Sequence, residues 1–240
     1  MGARPLLIAD EARRAIYLDF EGRKDEPPVL LGTLWVSRQG QEPMLRQYVL
    51  DPAFASAAVA TGAAQASLAG EIRSLVSRAQ RQHRVLVGWS EHEVRIVRAC
   101  APELADAFDA YYRDARALAR RWRKKVHPEY AVQRDDRGRT HTLAAYLPLT
   151  GYAVPPAFEG GRVGKSIGSL RASMQIKGSF DAVSTKLQTR WVGVLGHNEH
   201  DCRATRAVCL AALDELAPTE LHGRRERRKH GKKATRRKVA

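Results

Sequence analysis

Asp19 and Glu21 are the first residues in the chain whose types and spacing could do chemistry. They sit at the end of Ala15-Ile-Tyr-Leu-Asp-Phe-Glu21, a run of apolar strand formers closed by Gly22. Residues two apart on a strand point the same way, so Asp19 and Glu21 share one face and Ile16, Leu18 and Phe20 the other. Asp is disfavoured inside strands, and two buried carboxylates without a partner are costly. A divalent cation, which prefers oxygen ligands, resolves that cost; the plain alternative is a polar strand edge facing solvent. Glu93 is the second candidate. It follows the apolar run Arg84-Val-Leu-Val-Gly-Trp89, and loops beyond strand ends are where α/β sheets place ligands. Ser90-x-x-Glu93 also spells a capping box, in which the glutamate reaches back to the Ser90 amide. Asp201 is the third, in Gly196-His-Asn-Glu-His-Asp-Cys-Arg-Ala-Thr205; its alternative is a helix-start acid favoured by the dipole. His197 precedes it by one helical turn and is either part of the same site or a capping, surface histidine. His197, His200 and Cys202 do not make a zinc site, because no second ligand pair at metal spacing exists elsewhere.

These side chains need a framework. Residues 15–20, 29–36 and 45–50 read as three strands joined by short turns, an antiparallel meander. Residues 51–81 are Ala-rich, with Leu68, Ile72, Leu75 and Val76 at helical spacing. The run 84–89 is a fourth strand, apolar enough to be covered on both faces. Ser90 opens a helix towards Cys100, and Pro102 starts a long one to about Lys125. Thr140–Gly151 is predicted as a short helix closed by glycine. Residues 152–182 read as a loop or helical insertion. A last helix runs from about Val183 to Leu216, with a break near Gly196-His-Asn198, and Pro218 stops it. Strands, a crossover helix and then more helices imply a mixed α/β sheet with helices on its faces.

The charge is uneven. The 240 residues hold 41 Lys+Arg and 26 Asp+Glu, for +15. Residues 223–240 contain ten cations, Arg224, Arg225, Arg227, Arg228, Lys229, Lys232, Lys233, Arg236, Arg237 and Lys238, against Glu226 alone. That is +9, leaving +6 from 31 basic and 25 acidic residues in the rest. Such a block repels itself, is predicted to be disordered, and attracts polyanions, nucleic acid first. It has no interleaved Trp, Phe or Leu to enter a membrane surface. No apolar run suits a membrane span or a signal-peptide core, so a cytoplasmic chain is expected. The cysteines, Cys100, Cys202 and Cys209, form no disulfide framework. Gly160-Gly-Arg-Val-Gly-Lys-Ser166 is not a Walker loop: Glu159 stands where its first glycine is required, and no apolar strand precedes it. Lys165 and Arg171 are then phosphate-backbone contacts or solvated cations. The run Arg120–Lys125 is a nucleic-acid contact or a solvated helix end.

Taken together, the segments resemble the DEDD-type, DnaQ-like 3′–5′ exonucleases of the ribonuclease H-like superfamily. The nearest branch is that of the bacterial predicted nucleases of RecB-family and YprB type. Tyr17-Leu-Asp-Phe-Glu21 is similar to the first motif, Val87-Gly-Trp-Ser-Glu-His-Glu93 to the second, with Glu where most relatives have Asp, and His197–Thr205 to the third. Thr140–Gly151 is similar to the short helix between the last two. His197 lies four before Asp201, where one subgroup has Tyr; another has His five before its Asp. The resemblance spans about residues 15–216. It implies a ribonuclease H-like domain over 1–222, with the insertion at 152–182 and the tail at 223–240. It further implies hydrolysis of phosphodiester bonds in single-stranded DNA or RNA. Asp19, Glu21, Glu93 and Asp201 would hold two Mg²⁺ or Mn²⁺ ions about 3.5–4 Å apart, and His197 would deprotonate or orient the water. A noncatalytic nucleic-acid-binding protein that kept the fold is the alternative. A third is an interaction module that delivers its tail to a ribosome or nucleoid.

Overall fold

β1 (Ile16–Glu21) carries the expected alternation: Ile16, Leu18 and Phe20 enter one core and Tyr17 another. The computed structural model describes residues 5–37, 41–135, 138–153, 155 and 163–236, with side chains as far as residue 217. β1 pairs antiparallel with β2 (Leu30–Trp35), which pairs antiparallel with β3 (Met44–Val49). On its other side β1 pairs in parallel with β5 (Leu86–Gly88). Two short strands extend the sheet, β4 (Ala64–Gln65) beside β3 and β6 (Tyr112–Asp114) beside β5, both parallel to their neighbours. The order β4-β3-β2-β1-β5-β6 makes a mixed six-stranded sheet.

Helices cover both faces. Against Ile16, Leu18, Leu31 and Leu86 pack α3 (Leu68–Gln82), α4 (His92–Cys100) and α5 (Ala105–Tyr111), through Ile72, Leu75, Val94, Val97 and Phe108. Against Tyr17, Leu34 and Val87 pack α6 (Ala115–Val126) and α8 (Thr185–Arg236), through Leu118, Trp122, Val208 and Ala212; α1 (Ala9–Arg14) joins by Ala12. A third cluster, Val29, Leu30, Phe54, Ile167, Leu170 and Trp191, ties α2 (Ala55–Thr61) and α7 (Val163–Lys177) to the first turns of α8. Burying side chains of this size stabilises by about 1.5–3 kcal/mol each.

Several sequence expectations are corrected. Residues 102–125 are not one helix: the chain extends at Tyr112–Asp114 to pair with β5, and Asp114 then caps α6 by accepting from the Ala117 amide at 3.0 Å. The sheet edge gained there outweighs local helix propensity. The Ala-rich stretch divides at Gly62, which takes φ +72 and ends α2. Residues 144–149 form a 3-10 helix with Pro148 inside it. Of the two readings of the insertion, loop or helix, the described residues 163–177 take the helical one. α8 has no break at residues 196–198, and it continues through Pro218 and the basic block to Arg236. Extending an existing helix needs no new nucleus, and Leu, Glu, Arg and Lys propagate it well. The cysteines are free, as expected, with Cys202 and Cys209 buried. No helix among the described residues is long and apolar enough to cross a membrane.

Candidate metal centre at the carboxyl ends of the parallel strands

The face of β1 that carries Asp19 and Glu21 looks onto α8. There the Nε2 of His197 lies 3.9 Å from Glu21 Oε1 and 3.6 Å from Asp201 Oδ2. Glu21, His197 and Asp201 each offer one ligand atom, and these lie within 4.8 Å of one another. All three side chains are half-buried. Among the described residues they are the one such grouping of His, Cys, Asp and Glu. The i, i+4 spacing of His197 and Asp201 puts both on the same stripe of α8 because that helix is unbroken.

Asp19 adjoins this group and is anchored differently. The Nδ2 of Asn198 donates to both Asp19 Oδ2 (2.9 Å) and the Asp19 carbonyl (3.0 Å). Gln47 on β3 fixes that amide: its Nε2 donates to Asn198 Oδ1 at 3.1 Å and to the Leu195 carbonyl at 2.7 Å. The close approach depends on Gly32, which faces Asp19 in the β1–β2 register. A Cβ at Gly32 would lie 2.2 Å from Asn198 Oδ1. Asn198, Gln47 and Gly32 were not expected from the sequence; Asn198 stood within the quoted motif but its partner is 179 residues away.

Glu93 is nearly fully buried, 3% exposed. Its Oε2 accepts from the Ser90 amide at 3.3 Å and lies 2.9 Å from the Tyr112 hydroxyl, which also reaches the Ser90 carbonyl. The reach of Glu93 back to the Ser90 amide foreseen for Ser90-x-x-Glu93 therefore forms, while the Ser90 hydroxyl accepts from the His92 amide at 3.2 Å. Gly88 makes room for it, since a Cβ there would lie 2.4 Å from the Tyr112 oxygen and 2.8 Å from Glu93 Cδ. Glu93 stands outside the Glu21–His197–Asp201 grouping, yet its charge is felt at Asp19.

The electrostatics of the four acids are those of a site short of positive charge. Burial raises Asp19 well above the carboxylate range, and the charges of Glu21, Asp201 and Glu93 raise it further, while the Asn198 hydrogen bond opposes them. Burial and then Asp201 raise Glu21. Asp201 is raised by burial and eased by His197. Glu93 is pushed up to about 7 by burial, against its hydrogen bonds to Ser90 and Tyr112. A carboxylate raised in the folded state favours the protonated fold, so its stabilising contribution is lost as pH rises between the unfolded and folded pKa values. For Glu93 that window runs from about pH 4 to about 7. Burial lowers His92, His141 and His200, which act in the opposite sense. Glu93→Gln separates the two effects, because Gln keeps the capping acceptor and cannot ionise. In EDTA, urea unfolding should show the variant gaining on the parent chain by on the order of 1 kcal/mol from pH 6 to pH 8. A pH-independent difference between the two would contradict the buried, raised glutamate.

The remaining predicted contacts fall elsewhere. Arg171 is engaged by two acids, Glu26 (2.5 Å) and Asp51 (2.6 Å), with its guanidinium over the Phe54 ring. It ties α7 to the loops after β1 and β3 and is not free for a phosphate. Lys165 is exposed on the first turn of α7, next in the chain to Gly164, which packs against the Gly22 carbonyl. Arg237 and Lys238 lie outside the described residues, as do the side chains of Arg224, Arg225, Arg227, Arg228, Lys229, Lys232, Lys233 and Arg236. His200 is buried with its ring 5.4 Å from that of Tyr152, and Cys202 is buried in the core; neither joins His197 in a zinc set.

No protein-family model, curated protein or solved structure matches this chain.

Proposed function

We propose that the chain is a divalent-metal-dependent nuclease with a ribonuclease H-like fold, a DEDD-type 3′–5′ exonuclease acting on single-stranded DNA or RNA. The observation that carries this reading is the convergence of Glu21, His197 and Asp201 within 4.8 Å beside Asp19, at the carboxyl end of β1. The sheet is of the kind expected, an antiparallel meander continued by parallel strands. The donor set suits Mg²⁺ or Mn²⁺: hard oxygen ligands on crowded acids whose raised proton affinity a cation would relieve. Asp19, Glu21 and Asp201 would hold the metal, with Glu93 close behind. Metal ions so placed activate a water and neutralise charge at the leaving oxygen. His197 supplies the base, held over the carboxylates by its helical spacing to Asp201.

The test is cleavage of a labelled single-stranded oligonucleotide in Mn²⁺ or Mg²⁺ and in EDTA. Hydrolysis is expected with metal alone, shortening the strand from its 3′ end. In the same assay His197→Ala should lower turnover by about 10²–10⁴-fold at an unchanged midpoint for Mn²⁺. A large shift in that midpoint would make His197 a ligand instead, and unchanged turnover would leave it outside the chemistry.

A second reading, a noncatalytic nucleic-acid-binding protein, draws on Glu93, whose Oε2 is occupied by Ser90 and Tyr112. Strand binding with no hydrolysis in any divalent metal would favour it.

A further inference from the structure

The helix that leaves the edge of the sheet beside the candidate centre carries cations and no acids. α6 reads Ala-Arg-Ala-Leu-Ala-Arg-Arg-Trp-Arg-Lys-Lys-Val, six cations in twelve residues. Leu118, Ala119 and Trp122 are buried in the core, so the cations lie on the remaining surface. Ala117, Arg120, Arg121, Lys124 and Lys125 line one shallow groove of about 520 Å³. Arg120, Lys124 and Lys125 are exposed, and none has a carboxylate at ion-pair distance among the described residues. Arg120 also acts, with Arg116 and Arg123, on His141 and Tyr146, so the positive field continues onto the segment ahead of the 3-10 helix.

This pattern is expensive for a helix. Like charges at i, i+4 recur at 116/120, 120/124 and 121/125, and each such pair opposes helix formation. The dipole favours cations in the last turn, which accounts for Arg123, Lys124 and Lys125. It disfavours Arg116 in the first turn and does nothing for Arg120 and Arg121 in the middle. A polyanion on this face compensates Arg120, Lys124 and Lys125.

Its position says which polyanion. The Arg116 amide donates to the Trp89 carbonyl at 2.9 Å, one residue before the Ser90 that Glu93 caps. α6 therefore starts at the end of β5, next to the segment that holds Glu93, and the residues that line the groove follow from Ala117 to Lys125, about 12 Å at 1.5 Å per residue.

We infer that the cationic face of α6 binds the phosphate backbone of a single-stranded nucleic acid, leading one end of the strand towards the carboxylate centre. The inference rests on the nuclease reading, and its test does not. Binding of a labelled single-stranded oligonucleotide is measured in EDTA by fluorescence anisotropy across a salt series, with the full chain. Arg120→Gln/Lys124→Gln/Lys125→Gln is compared with Lys177→Gln/Lys186→Gln/Arg190→Gln, which removes the same charge from exposed positions on α7 and α8. Each phosphate contact on a single strand contributes about 0.7 to the salt slope. The α6 triple should flatten the slope by roughly 2 and weaken binding about a hundredfold at low salt; the control triple should do neither. Equal losses in the two triples would overturn the inference, leaving only a net-charge effect. So would an α6 triple that loses binding to anionic phospholipid vesicles while holding the oligonucleotide unchanged. Metal-dependent cleavage that survives alongside either result would keep the nuclease reading and discard this face alone, whereas the expected binding without cleavage would do the reverse.

Discussion

Asp201→Asn is expected to lower metal-dependent cleavage by roughly three orders of magnitude while leaving the fold intact. The substitution is nearly isosteric and removes one negative charge from a group of four. Asp201 raises both Glu21 and Asp19 by its charge, so its loss relieves repulsion in the metal-free protein. Activity and stability should then move in opposite directions, with turnover collapsing while the EDTA melting temperature stays level or rises. A residue placed for folding cannot behave this way, because removing a structural carboxylate lowers both. Asp19→Asn should lose activity similarly, with a smaller gain in stability, since the Asn198 amide donates to the Asp19 carboxylate. The measurements are initial rates in saturating Mn²⁺ and thermal unfolding with and without metal. Activity surviving in Asp201→Asn would remove the carboxylate centre from the mechanism.

Truncation after His222 is expected to cost the chain most of its affinity for nucleic acid at low salt. The deleted segment holds ten cations and no Trp, Phe, Leu or Ile, so its contribution is electrostatic and blind to base sequence. If six to eight of those cations meet phosphates, the segment accounts for roughly −4 to −6 in the slope of log K against log salt. Between about 50 and 200 mM salt that is a loss on the order of a thousandfold. The turnover of bound substrate should persist, because Asp19, Glu21, His197 and Asp201 all precede the cut. Binding isotherms of the full and truncated chains at several salt concentrations decide the matter. Identical slopes would direct the basic segment to a protein partner.

Features that depend only on neighbours along the chain were legible before folding. The alternation of Ile16, Leu18 and Phe20 against Tyr17, Asp19 and Glu21 follows from the two-residue period of a strand, and the two cores divide along it. The strands of the meander, the apolar run before Trp89 and the Ser90–Glu93 cap were readable for the same reason. The one-turn spacing of His197 and Asp201 was readable too, but their shared face also needed the helix to run unbroken through 196–198, where the sequence suggested a break. Tertiary structure decided the rest. Residues 102–125 have the composition of a helix, and only the open edge of β5 makes Tyr112–Asp114 extended. The hydrogen bond from Asn198 to Asp19 and the support from Gln47 join residues roughly 150 to 180 positions apart, a separation that no local period encodes. Gly32 and Gly88 read as ordinary strand glycines until Asn198 and Tyr112 are seen in the space a Cβ would take. Arg171 looks like a phosphate ligand in the chain and becomes a clamp once folding brings Glu26 and Asp51 to it. In each case the deciding energy is burial or pairing with a distant partner, and it exists only after the sheet and helices have come together.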